Sequence, residues 1–164
     1  MKSYNSIGSD MPRLLKIVSG GQTGADRAAL DAALEHGTPC GGWCPEGRLA
    51  EDGAIPDLYP LREVTAGGYR QRTLQNINDS DGTVVFYFGR PRGGTEVTLY
   101  FCIKKGKPYQ LIDAAEIRPD RAADLIRMFI SEFDIAVLNV AGPRASEESR
   151  AYLYVLEVIG AVVS

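Results

Sequence analysis

The chain has 164 residues, a length that favours one domain able to bury its own core without a metal or disulfide staple. Hydrophobic residues make up 45% and charged residues 24%, and the net charge of −3 argues against broad binding to nucleic acid or an anionic membrane. The cations are lopsided, 13 Arg against 5 Lys, a bias that suits planar recognition of phosphate and carboxylate but that a GC-rich genome would also produce.

The opening segment, MKSYNSIGSDMPR, lacks the apolar core of a signal peptide and reads as a flexible tail over residues 1–13, ahead of a domain over 14–164. Strands are then expected at Leu14–Ser19, Thr38–Trp43, Leu61–Val64, Thr83–Phe88, Tyr109–Ile112 and Ile135–Val140. Helices are expected at Ala25–His36, Tyr69–Asp79, Gly94–Lys105, Asp120–Glu132 and Arg144–Ile159. TVVFYF and IAVLNV are almost continuously apolar, as strands covered on both faces should be. Gly37 and Gly106 follow helices as C-terminal caps do. The alternation predicts a single α/β Rossmann-like domain, with a mostly parallel sheet and helices on both faces. One irregular segment, Cys44 to Pro60, is long enough to be functional or mobile.

Ligands of open α/β sheets bind beyond the carboxyl ends of the strands, so the loops there carry the search. After the first strand comes SGGQTGAD, a G-x-G-x-x-G-like turn with Ser19 in place of the first glycine and without the Lys-Ser/Thr of a P-loop. Gly20, Gly21 and Gly24 free the backbone to close on an anion, with Thr23 as a hydroxyl donor and Arg27 nearby. A tight strand-to-helix turn with Asp26 or Thr23 capping the helix is the alternative. After the fourth strand, Arg90 and Arg92 precede Gly93, Gly94 and Thr95 at a helix start, with Glu96 in its first turn. After the sixth come Gly142, Pro143 at an expected first helical position, Arg144, Ser146 and Glu147, the last two alternatively helix caps. Three loops each pair glycine with arginine, which points to a phosphate-bearing small molecule.

Other candidates are weaker. Cys40 and Cys44 lie near His36, but a structural zinc needs four ligands and only Cys102 remains, so no metal is expected. Three cysteines, an odd number, fit free thiols in a reducing cytoplasm, and no apolar run is long enough to span a bilayer. Trp43 ends a strand and suits either ring stacking or core packing. Asp81-Gly82 is turn chemistry, and His36 complements a helix dipole.

Five blocks carry a family resemblance: GGQTGADRAALDAA, GGWCPEGRLAEDGAIP, RTLQNINDSDGTVVF, RGGTEVT and LNVAGPRAS. In this order they resemble the putative molybdenum carrier proteins, a circularly permuted branch of the SLOG superfamily of Rossmann-like domains. The likeness runs from about Lys16 to the C-terminus. It implies a nucleotide-like or phosphate-bearing ligand over the glycine-rich loops, with molybdenum cofactor (molybdopterin, a pterin with a terminal phosphate) or a nucleotide as candidates. It also implies a homo-oligomer. The superfamily includes cytokinin-activating phosphoribohydrolases, whose P-G-G-x-G-T-x-x-E motif supplies an arginine and a glutamate to cleavage of an N-glycosidic bond. In this chain the matching stretch is Arg92-Gly93-Gly94-Thr95-Glu96, with the glutamate two residues early. Two residues turn a helical side chain by about 200°, so Glu96 is not carried over as the hydrolase glutamate. The expected function is therefore a binding module, with a nucleoside 5′-monophosphate phosphoribohydrolase using Arg92 and Glu96, or a nucleotide sensor, as alternatives.

Overall fold

Two apolar runs, Gly82–Tyr87 and Val137–Ala141, lie side by side as parallel strands in the middle of the computed structural model, which describes residues 14–164. The tail expected over residues 1–13 lies outside the described residues. In chain order the elements are β1 (Lys16–Val18), α1 (Ala25–Glu35), β2 (Cys40–Gly41), β3 (Trp43–Cys44), β4 (Leu49–Ala50), β5 (Gly53–Ala54) and β6 (Arg62–Glu63). There follow α2 (Tyr69–Asn78), β7 (Gly82–Tyr87), α3 (Gly93–Lys105), β8 (Tyr109–Asp113), α4 (Pro119–Glu132), β9 (Val137–Ala141) and α5 (Ala151–Val163). The main sheet has the order β2-β1-β9-β7-β8, and every pairing in it is parallel. This is the α/β Rossmann-like domain that the alternation predicts.

The topology explains why three loops share one edge. From β1 the chain moves outward to β2, and from β7 it moves outward the other way to β8. β9 fills the gap between β1 and β7, so the loops after β1, β7 and β9 are neighbours at a switch point. Alternation within the strands sorts the core. Val84, Phe86, Leu138 and Val140 pack with apolar residues of α1, α4 and α5 on one face. On the other face Asn139 donates to Thr83 Oγ1 at 3.2 Å, and Ile77 of α2 packs with Phe101 and Cys102 of α3. The alanines of α1 (Ala25, Ala28, Ala29, Ala32, Ala33) are fully buried, which lets it sit close to sheet and neighbouring helix.

Two expected elements differ. The strand expected over Thr38–Trp43 divides at Gly42 (φ +131°): β2 joins the main sheet, while β3 leaves it to pair in parallel with β6. Asn76 secures the departure by exchanging two hydrogen bonds with the Trp43 backbone, at 2.8 and 3.0 Å, as a neighbouring strand would. Trp43 Nε1 donates to Asp79 at 2.6 Å, so the single tryptophan, at the end of the expected strand, is tied to the C-terminal end of α2. The last helix begins at Ala151, not Arg144, so Pro143 is not its first residue. Residues 144–150 form turns because Glu147 turns back onto the Arg144 backbone and side chain, and Ser146 is drawn off to Glu51.

The long segment after β3 is ordered by Arg48. Its guanidinium donates to four backbone carbonyls, those of Ile55, Pro56, Tyr59 and Leu61, at 2.8–3.3 Å. Leu30, Cys44, Ile55 and Tyr59 form a small apolar cluster beneath it. Asp31 accepts hydroxyls from Tyr59 and Tyr152, which ties this segment through α1 to α5. Arg48→Ala leaves four carbonyls without their charged donor and should cost about 2–4 kcal/mol. The expected readout is a melting temperature lower by roughly 5–10 °C, with hydrogen-exchange protection lost first over residues 53–61. An unchanged melting temperature would show that the segment holds its shape without Arg48.

Candidate functional site

At the end of β1 the chain turns through Ser19 and Gly24 into α1, and no side chain caps the helix. The turn is filled by Asp26, which is 4% exposed. Its carboxylate accepts the Gln22 amide at 3.2 Å and faces the amide of Gly20, while Ser19 Oγ donates to the Asp26 carbonyl at 2.9 Å. Loop amides of the kind that close on an external anion here face the chain's own carboxylate. Burial pushes the Asp26 pKa up; the nearby Arg72 guanidinium and the loop amides pull against it.

Arg72 reaches this turn from α2. Its Nη1 lies 3.4 Å from Asp26 Oδ2, long for a charge-assisted bond, and its buried Nε has no hydrogen-bond partner. The guanidinium lies where any side chain on residue 20 would be: a Cβ built on Gly20 would stand 1.8 Å from Nη1. Gly24, at φ +79°, is required for a different reason, since a Cβ there would lie 2.4 Å from the Pro143 carbonyl. Gly21 faces Leu61 and Ile55 in the same way. Each glycine of the first loop therefore has a neighbour pressed against its α-carbon.

The other two loops present charge outward. Asp113, at the end of β8, accepts the Gly89 amide at 2.9 Å and so fixes the exit of β7. Arg90 and Arg92 follow, and Arg92 precedes α3 with no side-chain cap on that helix end. Among the described residues neither arginine forms an ion pair. Arg150 lies with its guanidinium 4.7 Å from the Phe88 ring centroid and pairs with Glu148 at 2.7 Å. Beyond β9, Arg144 is held by Glu147 at 2.9 Å. Glu147 Oε2 would lie 3.2 Å from a Cβ on Gly93, so this carboxylate stands at the N-terminus of α3.

Two adjoining cavities result. One, of about 210 Å³, opens between α2 and α3 over the end of β9, with Gln22, Asp26, Tyr69, Arg70, Arg72 and Arg144 among its lining. The second, of about 240 Å³, is lined by Phe88, Arg90, Arg92 and Arg150. Thr95 and Glu147 border both. Of the residues singled out in the sequence as ligand-binding, Gly94, Thr95, Gly142 and Arg144 line the first cavity, and Arg90, Arg92 and Thr95 the second. Gly93 lies beside Glu147 at the junction. Gly20, Gly21, Thr23, Gly24, Arg27, Glu96 and Ser146 line neither. Arg27 instead pairs with Asp52 and donates to the Gly21 carbonyl at 3.1 Å. Glu96 is exposed on the first turn of α3.

Gln22, Asp26, Tyr69, Arg70, Arg72, Glu147 and Arg150 were not found as site residues from the sequence. One signal existed for Arg72: α2 reads YRQRTLQNIN, with too few apolar residues to dock by burial alone, so polar groups must face inward. All three cysteines are free, with Cys44 and Cys102 buried, and burial pushes their thiols up. Among the described residues no three His, Cys, Asp or Glu side chains converge as metal ligands, and no helix is long and apolar enough to cross a membrane.

Comparison with known proteins gives one consistent relationship. The circularly permutated YpsA SLOG family matches residues 17–163. Among solved structures, a protein named putative molybdenum carrier protein, from Syntrophus aciditrophicus SB, superposes with a TM-score of 0.90 at 43% sequence identity. The match covers 92% of this chain and 96% of that one. No curated protein matches the chain.

The loops depend on Glu51, at the turn between β4 and β5. It accepts the hydroxyls of Thr23 and Ser146 and the Ser146 amide, so it joins the loops after β1 and β9. Those hydroxyls, Ser146 first and then Thr23, hold its carboxyl below the ordinary 4.5. A depressed carboxylate stabilises the fold above its unfolded pKa, and that contribution is lost as pH falls through the folded value. Glu51→Gln should therefore melt below wild type at pH 7, with the gap closing as pH falls below 4.5. A gap that stays constant down to pH 3 would remove Glu51 from this role.

Proposed function

The chain belongs to the circularly permutated YpsA SLOG family, and from that premise we propose that it binds a phosphate-bearing small molecule across the two adjoining cavities. The observation that carries the reading is the second cavity: Arg90 and Arg92 line it without an ion pair among the described residues, beside a helix end that no side chain caps. Guanidinium forks and the positive end of a helix favour the same anion. In this reading the phosphate sits with Arg90, Arg92 and Arg150, and Gly93, Gly94 and Thr95 offer donors from the start of α3. Arg144 and Gly142 border the remainder of the ligand. From the first loop the contribution comes through Gln22 and Asp26, while Gly20, Gly21 and Gly24 keep that loop close-packed. Each cavity alone is below the roughly 300–1,000 Å³ of ordinary small-molecule sites, and only the two joined reach that range.

The neighbour's name brings one cargo class, molybdenum carriage, to this chain. Molybdenum cofactor is a pterin with a terminal phosphate, and the donor set fits it: arginines for the phosphate, and the unpartnered Gln22 and Arg72 atoms for a polar ring edge. A nucleotide fits the same features. Binding rather than hydrolysis is favoured because Glu96 borders neither cavity. Three free thiols support a reducing, cytoplasmic setting, and Tyr100 and Ile103, exposed on the outer face of α3, support a homo-oligomer.

Two measurements test the reading. Calorimetry should show nucleoside monophosphates binding and the matching nucleosides much weaker; Arg92→Ala should weaken the phosphorylated ligand by about 10- to 100-fold without lowering the ligand-free melting temperature. Arg92→Lys should recover only part of the loss, because an ammonium lacks the planar fork. Full affinity in the alanine variant moves the anchor elsewhere. Purified protein should release no free base from nucleoside monophosphates; release abolished by Glu96→Ala would establish the hydrolase instead.

A further inference from the structure

We propose that Gln22 sets the ligand class of the first cavity, selecting a planar nitrogen heterocycle that presents an amino or N–H donor over one presenting acceptors alone. The inference rests on the phosphate-binding reading above and concerns the other end of the same ligand.

The argument begins with the orientation of one carboxamide. Gln22 is 2% exposed and borders the first cavity. Its Nε2 donates to the Leu49 carbonyl at 2.9 Å. Turning the amide over would set oxygen against oxygen at Leu49, so the side chain is fixed with Oε1 as the atom left over. Oε1 is buried and has no donor among the described residues. Buried polar atoms are seldom left without a partner. An acceptor-only atom closed off from bulk water is completed by a donor from a group seated in the cavity.

The rest of the lining narrows the group. Arg72 lines the same cavity, and its buried Nε is a donor without an acceptor among the described residues. One unpaired acceptor and one unpaired donor are matched by a ring edge that carries an amine next to a ring nitrogen. Tyr69 and Val97 supply flat and apolar surface for the faces of such a ring. The first cavity is thus the ring site, with Thr95 and Glu147 at the junction where ring and phosphate halves meet.

The test is calorimetry on the full chain with three probes: ribose 5-phosphate, purine riboside 5′-monophosphate and 2,6-diaminopurine riboside 5′-monophosphate. The last two share ring and phosphate and differ only in the amines. Wild type should bind the diamino compound at least about tenfold more tightly, the scale of one buried hydrogen bond. Gln22→Leu should erase that difference while leaving the affinity for ribose 5-phosphate unchanged. Because the wild-type comparison needs no variant, the proposal stays testable if Gln22→Leu fails to fold. Equal affinity for the two purine nucleotides, with ribose 5-phosphate still bound, overturns the role of Gln22 and leaves phosphate binding standing. A preference that persists in Gln22→Leu overturns it too. Binding of none of the three overturns both.

Discussion

Asp26 is the buried carboxyl around which this edge of the sheet is arranged. An ionised carboxylate taken out of water must be matched by donors and opposite charge or it will not stay ionised. Here the match comes from amides of the first loop and from Arg72, which crosses from α2. Supplying that arginine fixes much else. Residue 20 must lack a side chain, because the guanidinium lies where its Cβ would be. α2 must lie near the sheet edge, and Asn76 and Trp43 hold it there alongside the apolar contact of Ile77 with α3. The first cavity is the space left between α2, so held, and α3.

The fold was legible in the sequence because burial on both faces leaves a mark on composition. TVVFYF and IAVLNV admit few places but the middle of a parallel sheet, and there they lie, as β7 and β9. That three glycine-bearing loops share one edge was legible too: the loops after the first, fourth and sixth expected strands are neighbours once β9 inserts between β1 and β7. What could not be read was the use of each glycine. A glycine that admits a phosphate and one that admits Arg72, Leu61 or the Pro143 carbonyl look alike in one dimension. The start of α5 was hidden likewise, since Arg144 to Arg150 has helix-compatible residues whose side chains are recruited by Glu51 and by their own backbone. For Arg72 the apolar-poor α2 segment hinted only that polar groups face inward; which one, and against what, depends on Asp26, 46 positions earlier.

The charge pattern of the cleft is internally balanced rather than simply positive. Asp26 occupies the first loop and Glu147 stands at the start of α3, two places where backbone donors converge. Around them gather Arg70, Arg72, Arg144, Arg90, Arg92 and Arg150. The net charge of −3 is therefore compatible with a local anion site, because the acidic excess lies elsewhere or is already partnered, as in Asp52 with Arg27. Long-range attraction of polyanions is weak under such a balance; recognition must come from short-range geometry.

That balance bears on how tightly anything is held. An arginine freely available to a phosphate adds its whole charge-assisted bond to affinity, whereas one already facing a carboxylate adds only the difference between two partners. Among the described residues Arg90 and Arg92 are of the first kind; Arg144, held by Glu147 at 2.9 Å, and Arg150, held by Glu148, are of the second. Arg72 lies between, with one long contact to Asp26 and a vacant Nε. An anion held by Arg90 and Arg92 and adjusted by Arg72, Arg144 and Arg150 would be bound well below the strength that five arginines suggest by count. The carboxylates that would reduce such an affinity are also the groups that would take the arginines back. Were such a ligand to leave, Arg144 and Arg150, both partly exposed, would keep Glu147 and Glu148 as partners, which would lower the cost of letting go.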